Sequence, residues 1–359
     1  MPKEYTYAEA GVDRKTRVES KTALKRLEQT FKFSKYGNVI QLPYGKIFPF
    51  GDKLLDLQVE GVGTKVLVAQ LADKYDTIGI DSVALVVNDV IRSGARPIAL
   101  VDNIHTQVSD PELIEELMKG ITKGAEESEC IVPAGEIGDV AEIITGIANG
   151  KSFDLVVACV GELEKHKVIW WNNIEADDVI IGMESSGLHS NGITLARKVL
   201  FKKWGGKYDA FVIPDGFDRE LVYEVLKPMK IYVKPLLSTA EKVRIKGAVH
   251  ITGEGYAKFN HLNKFSKGIG FEFDNFKPQP IFNLIQQTAP GVRGTITDEE
   301  MLRTFNMGWG FAIIVNEKDA TTAIDSVKKT GIKAEQIGKI TDTGKNIAYY
   351  KNKKILLQQ

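Results

Sequence analysis

The sequence predicts a mixed fold of the α/β or α+β class, arranged as two domains. Length is the first ground, since 359 residues exceed what one hydrophobic core usually organises. Alternation is the second: short apolar strands and amphipathic helical segments follow one another in both halves. The third is a break at Gly161–Trp171, where the charged run Glu162–Lys167 interrupts the apolar pattern before it restarts at Asp178. Together these place a first domain over residues 1–167 and a second over 168–359. Composition agrees with a globular chain, at 43% hydrophobic and 26% charged residues. Lys plus Arg equals Asp plus Glu at 47 each, so no net charge draws in nucleic acid or an anionic membrane. No apolar run approaches the roughly 18 residues of a membrane span, and MPKEYTYAEAG lacks the apolar core of a secretion signal. A cytoplasmic location is expected. Cys130 and Cys159 stand in or beside apolar runs without metal-ligand spacing and read as reduced structural thiols.

Taken in order, residues 1–53 carry few signals. Ala10–Asp13 reads as a loop, and a charged helix follows with Leu24, Leu27 and Phe31 on one side. Pro43, Gly45, Pro49 and Gly51 then break any regular element, so a solvated arm is one reading of the segment. Leu54–Pro97 is richer. Leu55, Leu57 and Val59 alternate with Asp56, Gln58 and Glu60, which predicts a strand with one apolar and one polar face. It ends in Glu60-Gly61-Val62-Gly63-Thr64-Lys65, where two glycines free the backbone to turn and expose N–H groups. An apolar helix then carries Asp81, Asn88 and Asp89; seven residues is almost two turns, so Asp81 and Asn88 share a stripe. Buried oxygens of this kind need satisfying, and a hard cation such as Mg²⁺ carrying a phosphate would do so.

Ile98–Asn103 reads as a short buried strand. Asp110 caps a helix with Pro111 in its first turn and Leu113, Leu117 and Ile121 on its inner stripe. Cys130–Val132 is a further strand, Pro133–Gly138 a second glycine turn carrying Glu136, and Phe153–Val160 a continuous apolar strand. In the second half, strand Asp178–Gly182 leads into Ser185-Ser186-Gly187-Leu188-His189-Ser190-Asn191-Gly192 and a helix through Leu195 and Leu200. Ser190 or Asn191 as N-cap would leave free N–H groups and the positive end of the dipole, a ready anion site. Helices over Arg219–Leu226 and Leu236–Val243 follow, then strand Ala248–Ile251 running into Thr252-Gly253-Glu254-Gly255. Thr297 and Glu300 fit a capping box, Phe311–Val315 reads as a strand, and the tail as a helix near Ala320–Lys328 and a strand Ile347–Lys351. No GxxxxGK[ST] and no GxGxxG between strand and helix is present, so a bound nucleotide needs another route.

The series Gly11-Val12-Asp13, Glu60-Gly-Val-Gly-Thr-Lys65, Gly79-Ile-Asp-x6-Asn88-Asp89, Ser186-Gly-x-His-Ser-Asn-Gly192, His250-Ile-Thr-Gly253 and Phe305-Asn-Met-Gly308 resembles the phosphoribosylformylglycinamidine cyclo-ligases, or aminoimidazole ribonucleotide synthetases. The resemblance runs from about Tyr7 to Val315, with departures. Glu60 stands where that family has Asp, Ala134-Gly135-Glu136-Ile137 replaces Gly-Gly-Glu-Thr, Glu254 replaces a glycine, and Asn260–Asn263 replaces Asn-Ile-Pro-Arg.

What the resemblance implies is an ATP-dependent closure of formylglycinamidine ribonucleotide to aminoimidazole ribonucleotide in purine biosynthesis. The amide oxygen is phosphorylated, an amine of the same substrate attacks, and ADP and phosphate are released. The implied fold is an N-terminal sheet domain that dimerises through a β-barrel and a C-terminal α/β domain, with ATP and Mg²⁺ as cofactors. Transferred onto this chain, Glu60, Asp89 and Glu136 would hold Mg²⁺, with Asp81 beside them. Lys65 would contact phosphate, Asn88 would orient the metal shell or substrate, and His189 and His250 would serve the reacting centre. Gly11, Asp13, Gly61, Gly63, Thr64, Asp81, Asn191, Gly192, Thr252 and Gly253 would bind nucleotide or phosphate. The alternatives are another member of the same ATP-binding superfamily (a formylglycinamidine synthetase subunit, or a selenophosphate, thiamine-phosphate or hydrogenase-maturation type) and an inactive nucleotide-binding homologue.

Overall fold

The computed structural model describes residues 3–358; residues 1, 2 and 359, the outer ends of the two predicted domains, lie outside them. Helix α1 (Arg14–Lys21) is capped by Asp13, whose carboxylate accepts from Lys15 N at 2.9 Å, and runs into a 3-10 stretch over Thr22–Phe33. Neither buries a single residue, and Leu24 and Leu27 lie on the surface. Then come β1 (Ile40–Leu42), β2 (Gly45–Phe50), β3 (Lys53–Gly61), α2 (Lys65–Ala72), α3 (Asp76–Val90), β4 (Arg96–Thr106), α4 (Pro111–Ser128), β5 (Ile131–Asp139) and β6 (Phe153–Glu164). The six strands form one open sheet in the order β1-β2-β3-β6-β4-β5, antiparallel except for the β4–β5 pair. Asp110 caps α4 as its sequence predicts, accepting from Glu112 N and Leu113 N.

One face of this sheet is covered by α3, which packs against β3, β4 and β6. Strand β3 reverses the usual orientation. Its apolar residues Leu57 and Val59 are 58% and 62% exposed, while Asp56 is buried and Glu60 half-buried on the helix side. In register with them, Val160 and Ala158 of β6 and Val101 of β4 continue the outward apolar face, and Ile131 of β5 is exposed beside it. Expectation also fails at Pro133–Gly138, which is part of strand β5 and not a turn.

The second half contains β7 (Val179–Glu184), α5 (Ile193–Leu200), α6 (Leu221–Val225), α7 (Val233–Ala240), β8 (Gly247–His250), β9 (Gly270–Phe273), α8 (Pro280–Val292), α9 (Asp298–Thr304), β10 (Trp309–Val315), α10 (Ala320–Lys328), β11 (Ala334–Thr341), β12 (Asn346–Tyr350) and β13 (Lys353–Leu356). Its seven strands run β13-β12-β9-β11-β7-β10-β8, and only the β12–β9 pair is parallel. Predominantly antiparallel sheets put both halves in the α+β branch of the expected class. β10 is buried along its whole length, which is why it reads as an unbroken apolar run. Gly192, not Ser190 or Asn191, is the N-cap of α5: its φ of 73° suits glycine, and a Cβ there would strike the Phe305 ring.

The N-terminal segment is docked on the second half. Tyr5 N donates to Thr295 O at 2.8 Å, and Tyr7 N to Glu300 Oε1 at 2.9 Å. Thr297 Oγ1 accepts from Glu300 N as in a capping box. The Glu300 carboxylate, however, is turned to Tyr7 and Arg14 rather than back to the cap. Among the described residues no helix is long and apolar enough to cross a membrane.

Candidate active-site cleft

A cleft of about 440 Å³ opens where the two halves meet. Its first-half wall comes from α1 (Arg14, Arg17, Lys21), the β1–β2 connection (Tyr44), β3 (Gln58, Glu60), and the end of α3 with the turn after it (Asp89, Arg92). The second half contributes Asn191, then Thr252, Gly253, Glu254, Lys258 and His261 from the turn and 3-10 stretch after β8. Polar residues face inward on β3 because this wall, and not the hydrophobic core, is what they line.

Asp89 is the electrostatic centre. Its Oδ1 meets His250 Nδ1 at 2.7 Å and its Oδ2 meets Arg92 Nη2 at 2.8 Å. Burial pushes this carboxyl up, but the Arg92 charge, the His250 hydrogen bond and the Lys258 charge overcome it and hold it well below the usual range. Arg92 is tied further, its Nε donating to Asp89 O at 2.9 Å. Lys258 Nζ donates to His250 O at 2.9 Å and to Thr252 Oγ1 at 2.8 Å. Both cations lie over the Tyr44 ring, at 5.2 Å for Arg92 and 5.3 Å for Lys258. Burial and the neighbouring Arg92 bring the Lys258 ammonium down to about 8 against the pull of Asp89, Glu254 and Glu60. Glu60 has no cationic partner among the described residues; burial and the Asp89 charge raise its carboxyl.

Three buried polar atoms near this centre lack a protein partner: Asn191 Nδ2, His250 Nε2 and His189 Nδ1. Assigned from partners, His250 donates through Nδ1 to Asp89 and keeps a free lone pair on Nε2. His189 Nε2 accepts from Ser186 N at 3.2 Å, which leaves its Nδ1 as an unused donor. Burial lowers the pKa of both imidazoles, and for His189 the neighbouring His250 and the nearby Lys65 and Lys230 charges act in the same direction. The room for His189 depends on Gly310, where a Cβ would collide with the His189 ring and the Tyr232 hydroxyl.

Of the residues singled out from the sequence, Glu60, Asp89, Asn191, Thr252 and Gly253 line the cleft, His250 backs it through Asp89, and His189 is buried outside its wall. The expectation is corrected at Lys65, Asp81 and Asn88. Lys65 Nζ and Asp81 Oδ2 form an ion pair at 2.6 Å with both side chains fully buried, and Lys65 also donates to Lys227 O at 2.8 Å. Asp81 Oδ1 accepts from Met229 N at 2.7 Å. Asn88 accepts from Tyr232 N at 2.8 Å and donates to Lys230 O at 2.9 Å. The shared stripe on α3 is real, but backbone groups of the Lys227–Tyr232 connection satisfy it instead of a cation. Glu136 is corrected too. Glu60 pairs across the sheet with Val157, which pairs in turn with Asp102, whereas Glu136 stands in the row of Asn103 and Val156. Adjacent rows point to opposite faces, so Glu136 lies on the open side, away from Glu60.

Asp13 spends its carboxylate on capping α1 and bonding Thr16 Oγ1, and Gly11 lies outside the cleft wall. Gly61, Gly63, Thr64 and Gly192 also stand apart from the wall, Thr64 Oγ1 sharing a hydrogen bond with Thr194 Oγ1 at 2.7 Å. Arg92, Lys258, Tyr44, His261 and the basic residues of α1 were not anticipated. Arg92 had a signal, lying three residues after Asp89 on the same helical stripe.

Two family models match the chain: the N-terminal domain of AIR synthase related protein over residues 46–163 and its C-terminal domain over residues 175–351. Phosphoribosylformylglycinamidine cyclo-ligase of Methanobrevibacter smithii is 38% identical over 95% of this chain and 96% of its own length. The Methanocaldococcus jannaschii protein of that name is 38% identical over 98% and 99%, and that of Bacillus cytotoxicus 36% over 96% and 97%. Among solved structures, thiamine monophosphate kinase from Aquifex aeolicus superposes with a TM-score of 0.60 at 16% identity, covering 93% of this chain and 97% of that one. PurL from T. maritima complexed with ATP gives 0.56 at 13%, covering 89% of this chain and 46% of that one. At such identities these two establish the fold alone.

Proposed function

The chain belongs to the AIR synthase related family, that of the phosphoribosylformylglycinamidine cyclo-ligases, and on that footing we propose that it closes formylglycinamidine ribonucleotide to aminoimidazole ribonucleotide at the expense of ATP. The observation that supports this cleft as the site is Glu60. It is a half-buried carboxylate that forms no ion pair among the described residues, set beside a second carboxylate in a wall otherwise rich in Arg and Lys. Acid next to acid in a basic cleft fits a divalent cation that arrives with a phosphate.

Among the described residues no three His, Cys, Asp or Glu side chains gather as a ready metal site. Two carboxylates still suit Mg²⁺, which keeps several waters and takes further oxygens from phosphate. Glu60 would be the direct ligand, since both Asp89 oxygens already hold His250 and Arg92. When bound, Mg²⁺ neutralises phosphate oxygen charge. Arg92, Lys258 and the α1 residues Arg14, Arg17 and Lys21 would grip the phosphates and keep donor and acceptor in line. Asn191 Nδ2, in the cleft wall, is a donor free for the oxygen being activated, while His250, buried behind the wall, would act by holding Asp89, and His189 by supporting the turn that carries Asn191. Lys65, Asp81 and Asn88 would act by holding the second half in place. We divide the chain at 167/168, with the N-terminal segment docked onto the second domain, and place the enzyme in the cytoplasm.

The uncovered face of the first sheet supports a homodimer as part of this reading. Leu57, Val59, Val101 and Ile131 form an apolar face left exposed by the described residues, and a second copy laid against it would turn two open sheets into a barrel. The decisive assay incubates the purified protein with formylglycinamidine ribonucleotide, ATP and Mg²⁺ and follows ADP and the aminoimidazole product. Equimolar formation of the two is expected. ATP turnover without the imidazole, or no turnover, refutes the reading.

A further inference from the structure

Glu254 is a third carboxylate in the cleft wall, set apart from the Glu60 and Asp89 pair among the basic residues Lys21, Arg92 and Lys258. It follows Thr252-Gly253 at the end of the turn after β8, and its Oε2 meets His261 Nε2 at 2.8 Å. Its Oε1 makes no hydrogen bond among the described residues, and the side chain is 30% exposed. The His261 hydrogen bond, with the charges of His261, Lys258 and Lys21 behind it, holds the carboxyl at about 2 against burial, so it stays ionised at working pH. An ionised carboxylate only accepts hydrogen bonds, and beside a phosphate site it would repel the ligand unless the ligand also brings donors. A cationic donor is opposed by Lys258, Arg92 and Lys21, which share this wall. A neutral donor is not. The neutral donors that stand a few bonds from a phosphate in a nucleotide are the hydroxyls of its sugar.

We propose that Glu254 is a specificity-determining residue that accepts hydrogen bonds from the ribose hydroxyls of a ribonucleotide bound in the cleft, with His261 as the positioning residue behind it. The proposal rests on the cyclo-ligase reading, under which ATP and the cyclised substrate each carry a ribose. Tyr44 completes the fixture: its hydroxyl donates to Lys258 O at 3.1 Å and its ring packs edge-on against His261 at 6.0 Å, so the Glu254–His261 pair is braced from the first half.

The test has two arms. One compares kcat/KM for ATP with that for 2′-deoxy-ATP and 3′-deoxy-ATP; the other compares formylglycinamidine ribonucleotide with its 2′-deoxy counterpart. A hydrogen bond to a charged acceptor predicts a preference for the ribo form of about 10- to 100-fold in one arm, which identifies the ribose that is read. Glu254→Ala should cut that preference to about threefold or less by lowering the ribo value and sparing the deoxy value, which a merely structural role would not do. Glu254→Gln keeps the size of the side chain and one acceptor oxygen. It should fold as the wild type does and lose at least about threefold of the preference as the charge is removed. His261→Gln should fall between wild type and Glu254→Ala. A wild-type chain indifferent to the sugar in both arms, or substitutions of Glu254 that leave the preference intact, overturn the proposal. Calorimetric binding of ATP, of formylglycinamidine ribonucleotide and of their deoxy counterparts gives the same ratios without turnover. A protein that fails to cyclise would therefore refute the cyclo-ligase reading while still testing Glu254.

Discussion

Replacing Lys65 by Met separates the two roles open to this residue, phosphate ligand and internal latch. Its ammonium sits 2.6 Å from Asp81 Oδ2 and 2.8 Å from Lys227 O, and neither charged side chain reaches solvent. Burial presses both groups toward their neutral forms, and each one's charge opposes that shift in the other. Lys65→Met leaves the Asp81 carboxylate with little more than the Met229 N–H and strands the Lys227 carbonyl. Removing one member of such a pair costs about 3–5 kcal/mol. At roughly 2 °C per kcal/mol for a chain of this size, the thermal midpoint should fall by about 6–10 °C. Removing both charges in Lys65→Met/Asp81→Leu should recover most of that loss, because no orphan charge remains. Circular-dichroism melts of the three proteins and steady-state KM for ATP below the melting range are the measurements. A latch predicts lower midpoints with KM for ATP within about threefold of wild type. A wild-type midpoint combined with a KM raised tenfold or more would refute the latch and return Lys65 to the phosphate.

Glu60→Gln should raise the Mg²⁺ concentration for half-maximal turnover by about tenfold or more. Because burial and Asp89 already disfavour the Glu60 charge, the same substitution should leave the melting midpoint unchanged or higher. An unchanged Mg²⁺ requirement removes Glu60 from the metal. Glu254 gives a pH dependence. Its carboxyl is held at about 2 against an ordinary 4.5, so its stabilisation is complete above pH 4.5 and drains away as pH falls toward 2. The shift of about 2.5 units corresponds to roughly 3 kcal/mol as an upper bound. Wild type and Glu254→Gln should therefore converge in urea midpoint as pH falls from 5 to 2.5, and a constant gap would show that the pair contributes nothing. Leu57→Lys combined with Val59→Asp should convert a wild-type dimer to a folded monomer in sedimentation velocity, and a wild type that sediments as a monomer disposes of the barrel.

What the sequence discloses is local, and its errors here are errors of partner. Periodicity places Asp81 and Asn88 on one stripe of α3 correctly, and Asp110-Pro111 and Thr297 mark helix starts where the helices begin. The carboxylates of the cleft, Glu60 and Asp89, are also legible, as is the turn carrying Thr252 and Gly253. Nothing within a few turns of Asn88 says that it will meet Tyr232, 144 residues later, instead of a metal. Glu136 fails for another local reason: glycine and proline over Pro133–Gly138 suggest a turn, and parallel pairing with β4 overrides them.

Strand β3 joins these two kinds of error. A period of two states that the strand has two faces, but not which one the chain will cover. The usual assumption turns Leu57 and Val59 inward; here Asp56, Gln58 and Glu60 take the covered side, because that side meets Arg92 and the cleft and not an apolar core. Were the face left outside merely a tolerated exposure, apolar residues would be scattered over it singly. Instead Leu57 and Val59 align through β6 with Ala99 and Val101 of β4, and Ile131 of β5 extends the first of those rows. An apolar stripe kept in register across four strands of one chain is what a second chain requires. In the dimer proposed above, the same inversion that puts Glu60 in the cleft would hand the opposite face, Glu136 included, to the partner.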